Sequence, residues 1–198
     1  MTLSSSRLRR FIGTRTFYRQ VLLLLIPVII QNAMTNLVNL LDNLMVGAIG
    51  TVPMSAVAIV NQLLFVFTLC IFGSISGPSI YATQFAGAGD NNGVRHCFRI
   101  KLWVCVIVIL VSIATFLIIP DILINAFLKG EAAVGDIEAT KRYALQYLRI
   151  MLIGLPPFAL SMIYATTLRE LGETRMPMFA SVAALVVNLT FNYLLIFG

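Results

Sequence analysis

Residues 21–50, VLLLLIPVIIQNAMTNLVNLLDNLMVGAIG, form an apolar run that also carries Gln31, Asn32, Thr35, Asn36, Asn39, Asp42 and Asn43. Crossing a bilayer takes about 20 mostly apolar residues, so the run is long enough to span. On a helix turning about 100° per residue, the polar residues fall at roughly 0, 100, 40, 140, 80, 20 and 120° from Gln31. They share one arc of about 140°, and Leu37, Leu40, Leu41, Leu44 and Met45 fill the rest. One face suits lipid or protein packing and the other suits water or a ligand. Asp42 is the only acidic residue inside an apolar span, and a carboxylate at membrane depth marks a functional site by default. Pro27 removes a backbone hydrogen bond from the same helix, which predicts a kink, either static or one that changes during transport.

The rest of the chain agrees with a membrane setting. Of 198 residues, 59% are apolar and 11% charged, against about 25% charged in soluble domains. A compact soluble domain fits this composition poorly, and an all-α polytopic membrane protein is expected. The net charge of +6 would suit nucleic acid, but the arginines gather at the N-terminus and in short loops. Membrane topology requires that placement, so no nucleic-acid partner is expected. Cys70 and Cys105 lie in apolar runs and Cys97 lies beside a basic loop. All three read as small apolar residues, with no disulfide or metal site. His96 reads as a solvated residue of that loop, and no cofactor is expected.

Residues 1–20 form a basic segment with Arg7, Arg9, Arg10, Arg15, Arg19 and no acid. They imitate a signal peptide, but the apolar run continues to Met45 without a small-residue cleavage site, so it reads as a mature span. Residues 21–198 then hold spans at about 21–46, 54–84, 102–119, 143–168 and 177–197. In the second span, Gly73 and Gly77 have the Gly-xxx-Gly spacing that permits close helix approach. The stretch 84–101, with Arg95, Arg99 and Lys101 against Asp90, reads as a cytoplasmic loop. The third span is almost purely apolar. The charge-mixed interval 121–142 reads as an outer loop with a short interfacial helix. In the fourth span, Arg149 lies about two turns inside the boundary and reads as snorkelling. Arg169 and Arg175 fall in a short cytoplasmic loop. The fifth span carries Ser181, Asn188 and Asn192 within about 40° of one another, a second narrow polar stripe. Inner segments hold ten Lys and Arg residues and outer segments four, which places the N-terminus in the cytoplasm and Gly198 outside. Five spans and two stripes with no facing lobe lead us to expect a truncated chain.

Transport is the first reading of the stripes. A carboxylate partly removed from water resists carrying its charge. Asp42 can take a proton, or pair with Na⁺ or an organic cation. The amides Asn39, Asn188 and Asn192 donate or accept and so can reorganise around either state. Gln31, Thr35, Asn36 and Asn39 would line the cavity. The bland alternative is that these groups only tie helices together by interhelical hydrogen bonds.

Four segments carry a family resemblance. IPVIIQNAMTNLVNLLDNLMVGAIG, with Pro27, Asp42 and Gly47, resembles the first helix of multidrug and toxic compound extrusion (MATE) transporters. QFAGAGD, with Gln84, Gly87, Gly89 and Asp90, is similar to the end of their second helix. LRELGETRMP, with Leu168, Arg169, Gly172, Glu173, Thr174, Arg175 and Pro177, is similar to their loop between helices four and five. VNLTFNYLLIFG is similar to their fifth helix. The resemblance covers everything after the basic N-terminus. It implies twelve helices in two six-helix lobes, with this chain supplying five of the first lobe's six. It also implies an antiporter of the bacterial inner membrane that exchanges H⁺ or Na⁺ for cationic or amphiphilic drugs. Proton-coupled prokaryotic members, on this resemblance, use the first-helix aspartate with an asparagine and an aspartate on the fifth helix. Asp42 and Asn188 match the first two, and Asn192 stands at the third. That departure removes one titratable group and leaves Na⁺ coupling near Asp42 open.

Three other readings compete. A lipid or polysaccharide flippase of the same superfamily usually lines its cavity with several cations, whereas these stripes are neutral or acidic. An intramembrane aspartyl protease is suggested by Gly87-Ala88-Gly89-Asp90, but Asp42 follows Leu41 rather than the tyrosine such enzymes use. A purely structural membrane subunit is the third.

Overall fold

The computed structural model describes residues 14–128 and 137–197. Arg7, Arg9, Arg10, Lys129, Glu131, Asp136 and Gly198 lie outside the described residues, along with the readings placed on them. The described residues form six helices: α1 Arg15–Ile49, α2 Thr51–Gly87, α3 Asn91–Ile118, α4 Pro120–Leu128, α5 Ile137–Glu170 and α6 Arg175–Phe197. Five of them, all but α4, are long and apolar enough to cross a membrane. The protein is an all-α, multi-pass membrane protein.

The helices run further than the hydrophobic spans suggest. At about 1.5 Å per residue, α1 is about 52 Å long, well beyond a hydrocarbon core of about 30 Å. The largest difference is at α3, which begins at Asn91, so Arg95, His96, Arg99 and Lys101 sit on helix rather than in a loop. The cause is local chemistry. Gly89 takes φ +74° and closes α2, a left-handed conformation that costs glycine little. The next residue, Asp90, caps α3, its carboxylate accepting from the backbone N–H of Asn92 at 3.0 Å and Gly93 at 3.1 Å. The turn between α5 and α6 repeats this design. Gly172 has φ +82°, and the Glu173 carboxylate accepts from Arg175 N–H at 2.9 Å and Met176 N–H at 3.2 Å. Both segments that resemble family motifs are therefore stop-and-restart signals for helices. Asp90→Ala should cost about 1 kcal/mol, lowering the thermal midpoint by about 2–4 °C; Asp90→Asn, which can still cap, should stay close to wild type. A detergent melt of the three proteins checks this.

α2, α3, α4 and α5 form one bundle. Its core runs through Val60, Phe67 and Ile71 of α2, Cys105 and Ile109 of α3, Ile124 of α4, and Leu148, Leu155 and Ile163 of α5. Buried residues on α5 recur mostly every fourth position, at Ala144, Leu148, Leu152, Leu155, Ala159 and Ile163. That spacing exceeds 3.6, so the seam slants across the helix and the neighbours cross at an angle. Gly73 and Gly77 do not serve this packing. Both are exposed, and a Cβ on either would meet nothing within 4 Å. The close approach that their spacing permits is not made among the described residues, because the seam follows Ile71 and Ile75 on another face. α4 starts at Pro120, where a missing N–H costs nothing, and Lys141 of α5 pairs with its Asp121 at 2.7 Å.

α1 and α6 pack mainly on each other and lean off this bundle. Among the described residues, no Cα of α1 comes within 8 Å of a Cα of α5. Pro27 is the one buried residue of α1, and the helix passes through it uninterrupted. α1 and α5 therefore do not pack directly on each other, and α6 contacts both.

Candidate functional site

The two stripes meet where α1 crosses α6. Asn192 donates through Nδ2 to Asp42 Oδ1 at 2.6 Å. The same amide donates to Asn188 Oδ1 at 3.2 Å, one turn earlier on α6. All three residues are half-buried. The amide of Asn192 therefore spends both protons, one on a carboxylate and one on a second amide. Among the described residues, the other oxygen of Asp42 has no hydrogen-bond partner.

This arrangement responds to charge. With Asp42 ionised, the Asn192 amide offers its N–H₂, and a hydrogen bond to a charged group contributes about 1.5–3 kcal/mol. With Asp42 protonated, the carboxyl becomes a donor and the amide can turn its oxygen toward it. The free oxygen of Asp42 and the carbonyl of Asn188 are hard oxygen ligands of the kind that hold Na⁺, and the first can equally hold a proton.

The other stripe residues divide. Gln31 accepts at Oε1 from an Arg169 guanidinium N–H at 2.7 Å. Thr35 donates back to the Gln31 carbonyl at 3.1 Å and is exposed, a bond that satisfies the hydroxyl within its own helix. Asn36 and Asn39 are exposed and are not part of the Asp42 cluster. Ser181 is half-buried on α6. Arg149 is exposed on α5.

Two charged residues take parts that the sequence reading did not assign. Arg169 lies in the last turn of α5, not in a loop. Lys101, counted as a loop charge, is 0% exposed, with Nζ 2.5 Å from Glu170 Oε2 and 3.4 Å from Thr167 Oγ1. The protease reading loses its footing here, since the Asp90 carboxylate is occupied as a helix cap.

A sequence model of the MatE family matches residues 27–194. The chain belongs to the MatE family. The match begins at Pro27 and includes Asp42, Asn188 and Asn192. Among curated MatE-like relatives, the chain is 26% identical over 182 residues to the probable multidrug resistance protein NorM of Thermotoga maritima. It is 28% identical over 181 residues to the probable multidrug resistance protein NorM of Bacillus licheniformis. It is 25% identical over 191 residues to the multidrug resistance protein PmpM of Pseudomonas aeruginosa. These matches cover 91%, 91% and 96% of the chain, but only 37%, 38% and 39% of the relatives. The chain thus spans under two fifths of their length. No solved structure matches it.

Proposed function

We propose that this chain is one lobe of a cation-coupled exporter of cationic or amphiphilic drugs and xenobiotics. The observation that carries the proposal is the half-buried Asp42, bonded to Asn192 of a second helix and left with one open oxygen. Asp42, Asn188 and Asn192 are the coupling residues, and H⁺ or Na⁺ is the coupling ion. Gln31, Thr35, Asn36 and Asn39 give α1 its wet face, and Pro27 is the point where α1 yields. A second lobe faces these stripes and completes the cavity. The protein sits in a bacterial inner membrane with its N-terminus in the cytoplasm. The names of the relatives, multidrug resistance proteins, support the cargo class.

Binding the ion and binding the cargo compete for the same negative charge. When Asp42 is ionised, an organic cation is attracted to it. When a proton or Na⁺ arrives, that attraction is cancelled and the cargo leaves. A ligand shifts such an equilibrium only through its different affinity for the two states, and here the difference is one unit charge at one carboxylate.

The test is flux in proteoliposomes holding the protein. Ethidium should move only when a proton or sodium gradient is imposed, and a second organic cation should compete. Running the two gradients separately names the ion. Transfer of a fluorescent anionic phospholipid without any gradient, with ethidium unmoved, would favour the flippase alternative.

A further inference from the structure

A side-chain bond joins α1 to α5 well away from Asp42. Gln31 and Asp42 are 11 positions apart on α1, so they lie about 20° apart around the helix and about 16 Å apart along it. Asp42 is held by α6. Gln31 is held by α5, through Arg169 at 2.7 Å, although no α1 and α5 backbones come within 8 Å among the described residues. A bond of this kind is a strut across a gap, not part of a packed seam. It can be made and broken without exposing any apolar core.

Its far end is fixed. Arg169 precedes Glu170, and Glu170 is clamped by the fully buried Lys101 of α3, with Thr167 beside it. The strut therefore rises from a rigid wall and ends on a helix that the bundle holds weakly. Among the described residues, the buried Nε–H of Arg169 has no partner. The guanidinium is only partly satisfied in this arrangement, which eases its release.

We infer that Arg169 is a positioning residue that latches the middle of α1 to the cytoplasmic end of α5 and must let go when the two helices part on that side. The inference rests on the proposed transport function, but its first readout does not. Broken, the latch leaves α1 held by α6 and by α2 but not by α5, so α1 and α6 can swing together away from α5. Made, it holds α1 and α5 together on that side.

Spin labels at Leu24 of α1 and Tyr164 of α5, both exposed, measure this opening in nanodiscs, on a background with the exposed Cys70 changed to Ser. The wild-type protein should give one dominant short distance. Arg169→Gln should add a longer population, raising the open-to-closed ratio roughly tenfold or more, as loss of a charge-assisted hydrogen bond implies. Gln31→Ala should do the same, and the double variant should open no further, since both remove one interaction. Gln31→Glu, which turns the bond into an ion pair, should narrow the distribution and slow ethidium flux. An unchanged distance distribution in both Arg169→Gln and Gln31→Glu would overturn the latch. If the distances shift as described while no gradient drives flux in the wild type, the latch stands and the transport proposal falls.

Discussion

Asp42→Asn is expected to reduce gradient-driven ethidium efflux to that of cells lacking the protein, with expression and membrane insertion intact. The argument is geometric. Asparagine at position 42 keeps the size of the side chain and an oxygen that accepts from Asn192 Nδ2, now 2.6 Å from Asp42. The contact between α1 and α6 therefore survives in neutral form, and the thermal midpoint should move by no more than about 2–4 °C, the shift set by about 1 kcal/mol in a chain of this size. What is lost is the charge for which, on the proposed function, the ion and the cargo compete. Asp42→Glu retains that charge one methylene further out and should keep partial efflux. Asn192→Leu should retain the charge but remove its amide partner, so efflux should fall without vanishing. Wild-type efflux in Asp42→Asn would remove Asp42 from the mechanism and return the cluster to a structural tie between helices.

Much of the site was legible because α1 carries it on one arc. Seven polar residues in an apolar run leave a helix few ways to lie, and the same counting found Asn188 and Asn192 on α6. Their meeting with Asp42 follows from α1 packing on α6, which no periodicity shows; the transport reading of the two stripes, and then the family resemblance, grouped the three residues. The charged residues near the span boundaries were read less well, for a physical reason. A lysine or arginine near a span boundary has the same sequence appearance whether it snorkels, sets topology or pairs. Lys101 carried a signal that was passed over. It stands four residues after Cys97 and four before Cys105, with Ile109 following, and all four lie on the buried stripe of α3. Arg169 carried another, since Gly172 marks where a helix ends, and a basic residue in the final turn suits its negative pole. The Gly73 and Gly77 spacing shows the limit of a permissive signal. Small residues permit a close approach but do not require one, and the larger residues Ile71 and Ile75 decide which face is buried.

Lys101→Met is expected to be the most damaging single change to the fold. Lys101 is fully buried, and Glu170, 8% exposed at its side chain, is its ion-pair partner. Glu170 already holds one buried oxygen, Oε1, without a hydrogen bond. Removing the lysine leaves a carboxylate at the α3–α5 seam with neither charge nor donor, at a cost of about 3–5 kcal/mol for breaking a buried pair. Such a loss is a large share of the few kcal/mol that hold a domain together. The protein should extract poorly, melt early and be cleared from cells. Glu170→Gln should be milder, since an amide oxygen can still accept from Lys101 Nζ. The informative comparison is the pair of changes together. Lys101→Met with Glu170→Met removes both charges and leaves apolar side chains of similar length, an exchange that is often neutral or stabilising by about 1–4 kcal/mol. The double variant should therefore recover most of the stability lost by Lys101→Met, with a large coupling between the two sites. Thermal unfolding in detergent reads all four proteins. The double variant also separates stability from motion. It should fold, yet the wall from which Arg169 reaches Gln31 would no longer be fixed by charge, so its α1–α5 distance distribution should be broader than the wild type's. Equal melting of Lys101→Met and the wild type would show that the pair contributes nothing to the seam, and that Arg169 has no rigid base to reach from.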